Sequence, residues 1–218
     1  MVQADFFYSG LHDGIGIDKH IEMYAPRNRN NKNEFELTSK DERVALFHGI
    51  VEAIHHQGDG LETLSYTSTA NKQVLLLTEA EILHLKDVAG LLDKLKPLAL
   101  VTTIVWMFLA LLIYFKRFQV PTSKQLLLNT ILLLLVGAAI LSFGPERIFN
   151  QLHIWVFPEN HQWFFYYEDS LMSTMMKAPD LFAYIISIWI VISMLLTTVI
   201  FKLMRFYLHP DQKNNRIV

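Results

Sequence analysis

Cysteine is absent from all 218 residues, so no disulfide staples any part of this chain, and either side of a bacterial membrane remains open to it. The Gly-rich phosphate cradles GxGxxG and GxxxxGK[ST] do not occur, nor do the GxSxG nucleophile turn or the HExxH zinc helix. Nucleotide chemistry and a serine or metalloprotease mechanism therefore lack their usual carriers. Positive charge is not in excess either. The formal net charge is −2, and no basic patch lies outside the flanks of the apolar stretches, which argues against nucleic acid as a partner. The opening MVQADFFYSG has neither the basic start nor the apolar core of a signal peptide or anchor. No internal repeat or long low-complexity tract is visible.

The chain is rich in apolar residues, 52% against 18% charged, and they are unevenly spread. Three stretches, 98–115, 126–143 and 181–201, contain no charged residue. At about 1.5 Å per residue each is long enough to cross a hydrocarbon core of roughly 30 Å. Buried core helices of a soluble domain would need other apolar elements to cover them, and the remainder is too polar to supply these. The expectation is an all-α integral membrane protein with three transmembrane helices, an extracytoplasmic helical segment and a small β-hairpin.

Lys and Arg are retained on the cytoplasmic side of short loops. Lys116, Arg117 and Lys124 flank the first connection without an acid, and Lys202, Arg205, Lys213 and Arg216 follow the last span against the single acid Asp211. The 144–180 connection opposes Arg147 and Lys177 with Glu146, Glu159, Glu168, Asp169 and Asp180. This places 116–125 and 202–218 in the cytoplasm, and 1–97 and 144–180 outside. Export of a polar 1–97 segment calls for an upstream membrane helix before residue 1, or else for translocation of the tail by the first span.

Within 1–97, SKDE at 39–42 is a capping box that opens a helix closing near Gly58, with Val44, Phe47, Val51 and Ile54 as an apolar stripe beside His48 and His55. His55 and His56 could bind a metal, but such a pair is more often a solvated helix end favoured by the C-terminal dipole. LETLSYTS and KQVLLL around the turn TAN read as a hairpin, and PRNRNNKNE reads as a polar loop. A second capping box, Thr78 to Glu81, starts the helix of TEAEILHLKDV. On it Leu85, Val88, Leu92 and Leu95 form the apolar stripe, and Glu81, His84 and Asp87 share a neighbouring face. Pro97 marks the joint with the first span, which puts this helix at or just above the outer membrane surface.

A histidine flanked by carboxylates can have its tautomer fixed by one of them while its other nitrogen faces substrate. The polar face of any amphipathic helix looks the same. The 144–180 segment adds His153 on a short helix ending before Pro158, then Trp155, Phe157, Trp163, Phe164, Phe165, Tyr166 and Tyr167. Such aromatics suit the headgroup level of a membrane, but a belt of that kind does not require His153. The topology brings His153 to the same surface as His84.

Glu81-Ile82-Leu83-His84-Leu85-Lys86-Asp87-Val88, followed by Phe149-x-x-Leu152-His153-x-x-x-Phe157-Pro158, Trp163-Phe164 and Asp169-x-Leu171, resembles the lipoprotein intramolecular transacylases (Lit) of bacterial membranes. The resemblance covers roughly 75–185, while 1–74 match only loosely. Family members have four transmembrane helices, so the resemblance implies a fourth, N-terminal one, expected before residue 1. The resemblance implies a multi-pass protein of the bacterial cytoplasmic membrane with its active site on the extracytoplasmic face. It implies a diacylated bacterial lipoprotein as substrate among membrane lipids, no cofactor and no metal, and an acyl chain moved from the glycerol oxygen to the N-terminal amine. The family's two essential histidines correspond to His84 and His153.

That chemistry needs an acid and a base and no protein nucleophile, since amine and ester lie in one molecule. His84 is assigned as base, oriented by Glu81 or Asp87, and His153 as donor to the developing oxyanion or acid to the leaving oxygen, with the reverse also open. Trp155, Phe157, Trp163 and Phe164 are expected to hold the acyl chains. Two other readings fit the same residues: a membrane zinc hydrolase using His84, Asp87 and His153, and a non-enzymatic membrane interaction subunit in which the histidines are replaceable.

Overall fold

A computed structural model describes residues 2–116, 123–142 and 145–208. They are mostly helical: α1 (Tyr8–Gly14), α2 (Ile17–Tyr24), α3 (Lys40–His55), α4 (Glu79–Lys116), α5 (Ser123–Ser142), α6 (Pro145–Val156), α7 (Leu171–Met176) and α8 (Asp180–Leu208). Strands β1 (Ser65–Thr67) and β2 (Gln73–Leu75) form the hairpin, antiparallel with Tyr66 opposite Val74. The chain divides into two compact units, one of Met1–Lys96 with Leu152–Ile186, the other of Pro97–Gln151 with Ser187–Val218.

The first unit holds the hydrophobic core. Tyr8, Ile17, Ile21, Phe35, Ile50, Leu61, Tyr66, Leu76, Leu171 and Met175 are buried to within 1% of complete. Tyr8 shows how the short N-terminal helices are held: its ring stacks on Phe47 at 4.1 Å, and its hydroxyl donates to the Met175 carbonyl at 2.9 Å. These helices lie outside what the sequence pattern suggested, because each is too short to display a helical period. Arg43 is buried as well. Its guanidinium donates to Thr38 Oγ1 at 2.9 Å, Asp18 Oδ1 at 2.6 Å and the Glu36 carbonyl at 2.9 Å, which ties α2 and the 35–38 turn to α3.

Both capping boxes are used, in different ways. Ser39 Oγ accepts from the Glu42 amide at 3.1 Å, but the Glu42 carboxylate accepts from the Thr67 amide at 3.0 Å instead of reaching back to Ser39. At Thr78 the box is reciprocal: the Glu81 amide donates to Thr78 Oγ1 at 3.4 Å, and the Thr78 amide and hydroxyl donate to Glu81 Oε2 at 2.6 and 2.7 Å. Pro97 does not interrupt the helix that follows. It lies inside the continuous α4, where it removes one backbone donor, and the boundary between the two units falls at that point of the helix.

Among the described residues two helices, Glu79–Lys116 and Asp180–Met204, are long and apolar enough to cross a membrane, and neither of their most apolar windows is buried. In the second unit Trp106, Met107, Leu111 and Tyr114 of α4 line an apolar groove with Ile200, Leu203 and Met204 of α8. The expected middle span corresponds to α5 as far as Ser142, its last residue, 143, lying outside the described residues. The basic connection 117–122 and the tail from 209 onward also lie outside them.

Candidate active site

The site is built at the start of α4, in the first unit. Glu81 is fully buried, and besides Thr78 its carboxyl takes a hydrogen bond from the Ser170 hydroxyl on Oε1. Lys32 Nζ stands 4.0 Å from Oε2 while donating to the Leu76 carbonyl at 2.6 Å. Ser170 also caps α7, accepting from the Ser173 amide at 2.8 Å. Glu81 therefore fastens α4 to α7 and to the end of the hairpin. Of the two carboxylates expected to orient His84, this one is engaged elsewhere.

One turn further along, His84 is half-buried. Its ring centroid lies 6.4 Å from that of His153, 5.0 Å from Phe157 and 5.9 Å from Phe165. His153 comes from α6, whose register turns it toward α4 while Trp155 beside it is 73% exposed. The His153 ring contacts Phe157 at 5.3 Å and Trp163 at 4.9 Å. The two imidazoles are thus close enough to serve one small group between them, with aromatic rings on either side.

His84 Nδ1 is buried and has no hydrogen-bond partner. Burial pulls the His84 pKa down to about 4, the neighbouring His153 adds to the fall, and the charge of Asp87 opposes it. An imidazole in this setting stays neutral near pH 7, with one nitrogen for which no described residue supplies a polar partner.

Asp87, the second carboxylate expected to orient His84, pairs directly with another histidine. Its Oδ2 lies 2.6 Å from His161 Nδ1. His161 belongs to the same aromatic segment as Trp163, and the sequence pattern gave it no role; the clue available was that it is the next histidine after His153. Phe165 was also passed over as a ring against His84. Of the four aromatics expected to hold acyl chains, Phe157 and Trp163 border the histidines. Phe164 is half exposed and contacts Trp163 at 6.1 Å and Tyr166 at 5.1 Å, and neither it nor Trp155 reaches the imidazoles.

His55 and His56 are far simpler. Each places Nδ1 2.8 Å from a backbone carbonyl four residues back, Val51 and Glu52. A carbonyl can only accept, so each Nδ1 carries its proton and closes the last turn of α3. Among the described residues, the group tight enough to hold a metal ion is His12, Asp13 and Asp18, not His84, Asp87 and His153. Both of those aspartates already have cations, Lys40 at 2.7 Å from Asp13 and Arg43 at 2.6 Å from Asp18. The donor set of the zinc reading is not gathered, since Asp87 turns to His161.

The family model for the lipoprotein intramolecular transacylase Lit matches residues 28–179, a span that contains His84, Asp87, His153 and His161 and begins well before the 75–185 stretch on which the sequence resemblance rests. No curated protein and no solved structure matches the chain.

Proposed function

We infer the reaction from one premise: this chain belongs to the lipoprotein intramolecular transacylase (Lit) family. The family acts on bacterial lipoproteins, and we assign to this chain the transfer of an acyl chain from the diacylglyceryl group to the N-terminal amine of the same lipoprotein. The observation that carries this reading is the pair His84 and His153, rings 6.4 Å apart, with an unpartnered buried nitrogen on His84.

The α-amine attacks the ester carbonyl; a C–N bond forms and the C–O bond to glycerol breaks. As nitrogen bonds to carbon it must lose a proton, and the departing glyceryl oxygen must gain one. His84 is neutral and open at one nitrogen, so it accepts the first proton. Its low basicity makes the resulting imidazolium a ready donor to the leaving oxygen. His153, on the opposite side of the gap, donates to the oxyanion of the tetrahedral intermediate. No covalent acyl-enzyme is required. Holding the substrate's glycerol folded back on its own amine supplies the proximity that a second substrate would otherwise lack. Phe157 and Trp163 contact the acyl chain nearest the reacting ester, while Trp155 and Phe164, both exposed, meet the chains farther out.

The same reading sets three transmembrane spans at 98–115, 126–143 and 181–201, with 1–97 and 144–180 on the extracytoplasmic side. It is supported by the exposed apolar windows of α4 and α8 and by the distribution of Lys and Arg. A reporter active only in the cytoplasm, fused after Val218, is expected to be active.

Mass spectrometry of a lipoprotein's N-terminal peptide, from cells with and without this protein, tests the reaction. The expected result is one acyl group moved from glycerol to amine at unchanged total mass. A peptide that stays diacylglyceryl with a free amine in both cells would overturn it.

A further inference from the structure

The pair Asp87–His161 is not accounted for by a two-histidine mechanism, yet it joins the two pieces of chain from which the site is made. Asp87 lies one turn beyond His84 on α4, and its charge acts on His84. His161 lies in the segment between α6 and α7, which follows His153 and carries Phe157, Trp163 and Phe165. These are the rings against His84 and His153. Polar turns stiffen this segment, with the His161 amide donating to the Pro158 carbonyl at 3.1 Å and the Gln162 side chain to the Phe164 carbonyl at 3.0 Å. Neither turn ties it to α4. The imidazole of His161 does so, 2.6 Å from Asp87, with both side chains about four-fifths covered.

A carboxylate bonded to Nδ1 fixes that nitrogen as the donor and holds the ring plane. The surrounding ring contacts are apolar and slide at little cost, so a directional bond is what sets the position of the aromatic segment along α4.

We propose that His161 and Asp87 form a clasp that seats the 157–165 segment on α4, and that His161 is thereby a positioning residue for the acyl transfer, fixing the wall of aromatic rings around the His84–His153 pair. The inference rests on the transacylase reading, and its test is chosen so that the two fail differently.

Four full-length proteins purified in detergent are compared on a synthetic diacylglyceryl lipopeptide: wild type, His161→Ala, Asp87→Ala and the double variant, with His161→Asn as a fifth. A displacement of the wall by about 1 Å costs on the order of a hundredfold in kcat/KM, so each alanine variant should lose about that much. The double variant should lose no more than the Asp87→Ala protein, because a His161 that acts only through Asp87 has nothing left to contribute once that carboxylate is gone. His161→Asn keeps a side-chain N–H near the place of Nδ1 and should recover most of the loss. Melting temperatures identify any variant that fails to fold, and the asparagine variant then carries the comparison.

Losses that multiply in the double variant, wild-type rates for His161→Ala, or a His161→Asn protein that is folded and as slow as His161→Ala would each overturn the clasp. Absence of transfer by the wild type itself would instead overturn the transacylase reading.

Discussion

His55 and His56 at the end of α3 and His84 and His153 in the site belong to the same compact unit but meet opposite surroundings. The first pair spends its Nδ1 donors on the carbonyls of its own helix, and His56 is exposed to water. The second pair comes from two helices far apart in sequence, faces across 6.4 Å, and leaves a buried nitrogen of His84 without a partner. A satisfied polar group is an end in itself for the fold. An unsatisfied buried one costs stability, on the order of 1–3 kcal/mol, and at His84 it faces a second imidazole across a gap where a bound group could partner it.

The sharpest way to break this contrast is to remove the second pair. His84→Ala and His153→Ala are each expected to lower the rate of acyl transfer by about 10³-fold, the range ascribed to a positioned acid or base. Neither should lower the melting temperature, because neither imidazole anchors an element of the core. Normal N-acylation by a His84→Ala protein at wild-type level would reduce the TEAEILHLKDV motif to a polar helix face.

Glu81 should behave in the opposite manner, through the fold. Its carboxyl is buried among Thr78, Ser170 and Lys32, so Glu81→Ala strands several buried donors and one buried amine, at a cost of about 3 kcal/mol. Thermal unfolding of the detergent-solubilised protein would register the loss, and Glu81→Gln should recover part of it by keeping the shape and one acceptor oxygen. A Glu81→Ala protein that melts like wild type and is inactive would restore this residue to the chemistry.

The different fates of these residues explain what could be read from the sequence. Spacing on α4 correctly put Glu81, His84 and Asp87 on one face, because helical geometry fixes which side chains are neighbours. It could not tell where each side chain turns next. Glu81 goes to Ser170, Asp87 to His161 and Glu42 to Thr67, all partners set by tertiary packing. Pro97 was legible as a joint, since the two units part there, but not as an interior helix residue: proline disfavours a helix interior through one lost hydrogen bond and a local clash, which a long helix accommodates. The buried run Leu171–Met176 was lost inside an aromatic connection, being too short to announce its period. The hairpin was legible because β-formers on both sides of a polar turn are a local signal.

A smaller effect distinguishes the pairs by titration. His84 is held to about 4 by burial and by His153, below its ordinary 6.5. Between those values the unfolded chain binds the proton and the folded protein does not, so stability falls as pH drops from about 6.5 toward 4. His12 and His20 are also lowered by burial and act in the same direction. His84→Ala should therefore remove part of this acid sensitivity and leave the rest. Ring NMR of His84 in the folded protein should show no protonation midpoint above about pH 5. A midpoint near 6.5 would mean that the imidazole is solvated, and the case for a buried, waiting nitrogen would go with it.

The smallest effect is expected at the first pair. In His55→Ala or His56→Ala the lost bond is one from a side chain to a carbonyl of the last helical turn, where water can take its place. The change expected from losing one such bond at a helix end is about 0.5 kcal/mol. Activity should stay within about twofold of wild type, since these rings touch neither His84 nor the aromatic segment, and surface substitutions away from a site rarely move stability beyond about 0.5 kcal/mol. Transfer assays run beside the His84→Ala protein would check this at equal expression. A loss at His55 or His56 comparable to that at His84 would end the distinction between a histidine that closes a helix and one that serves a reaction, and would move the search for chemistry to the C-terminal turn of α3.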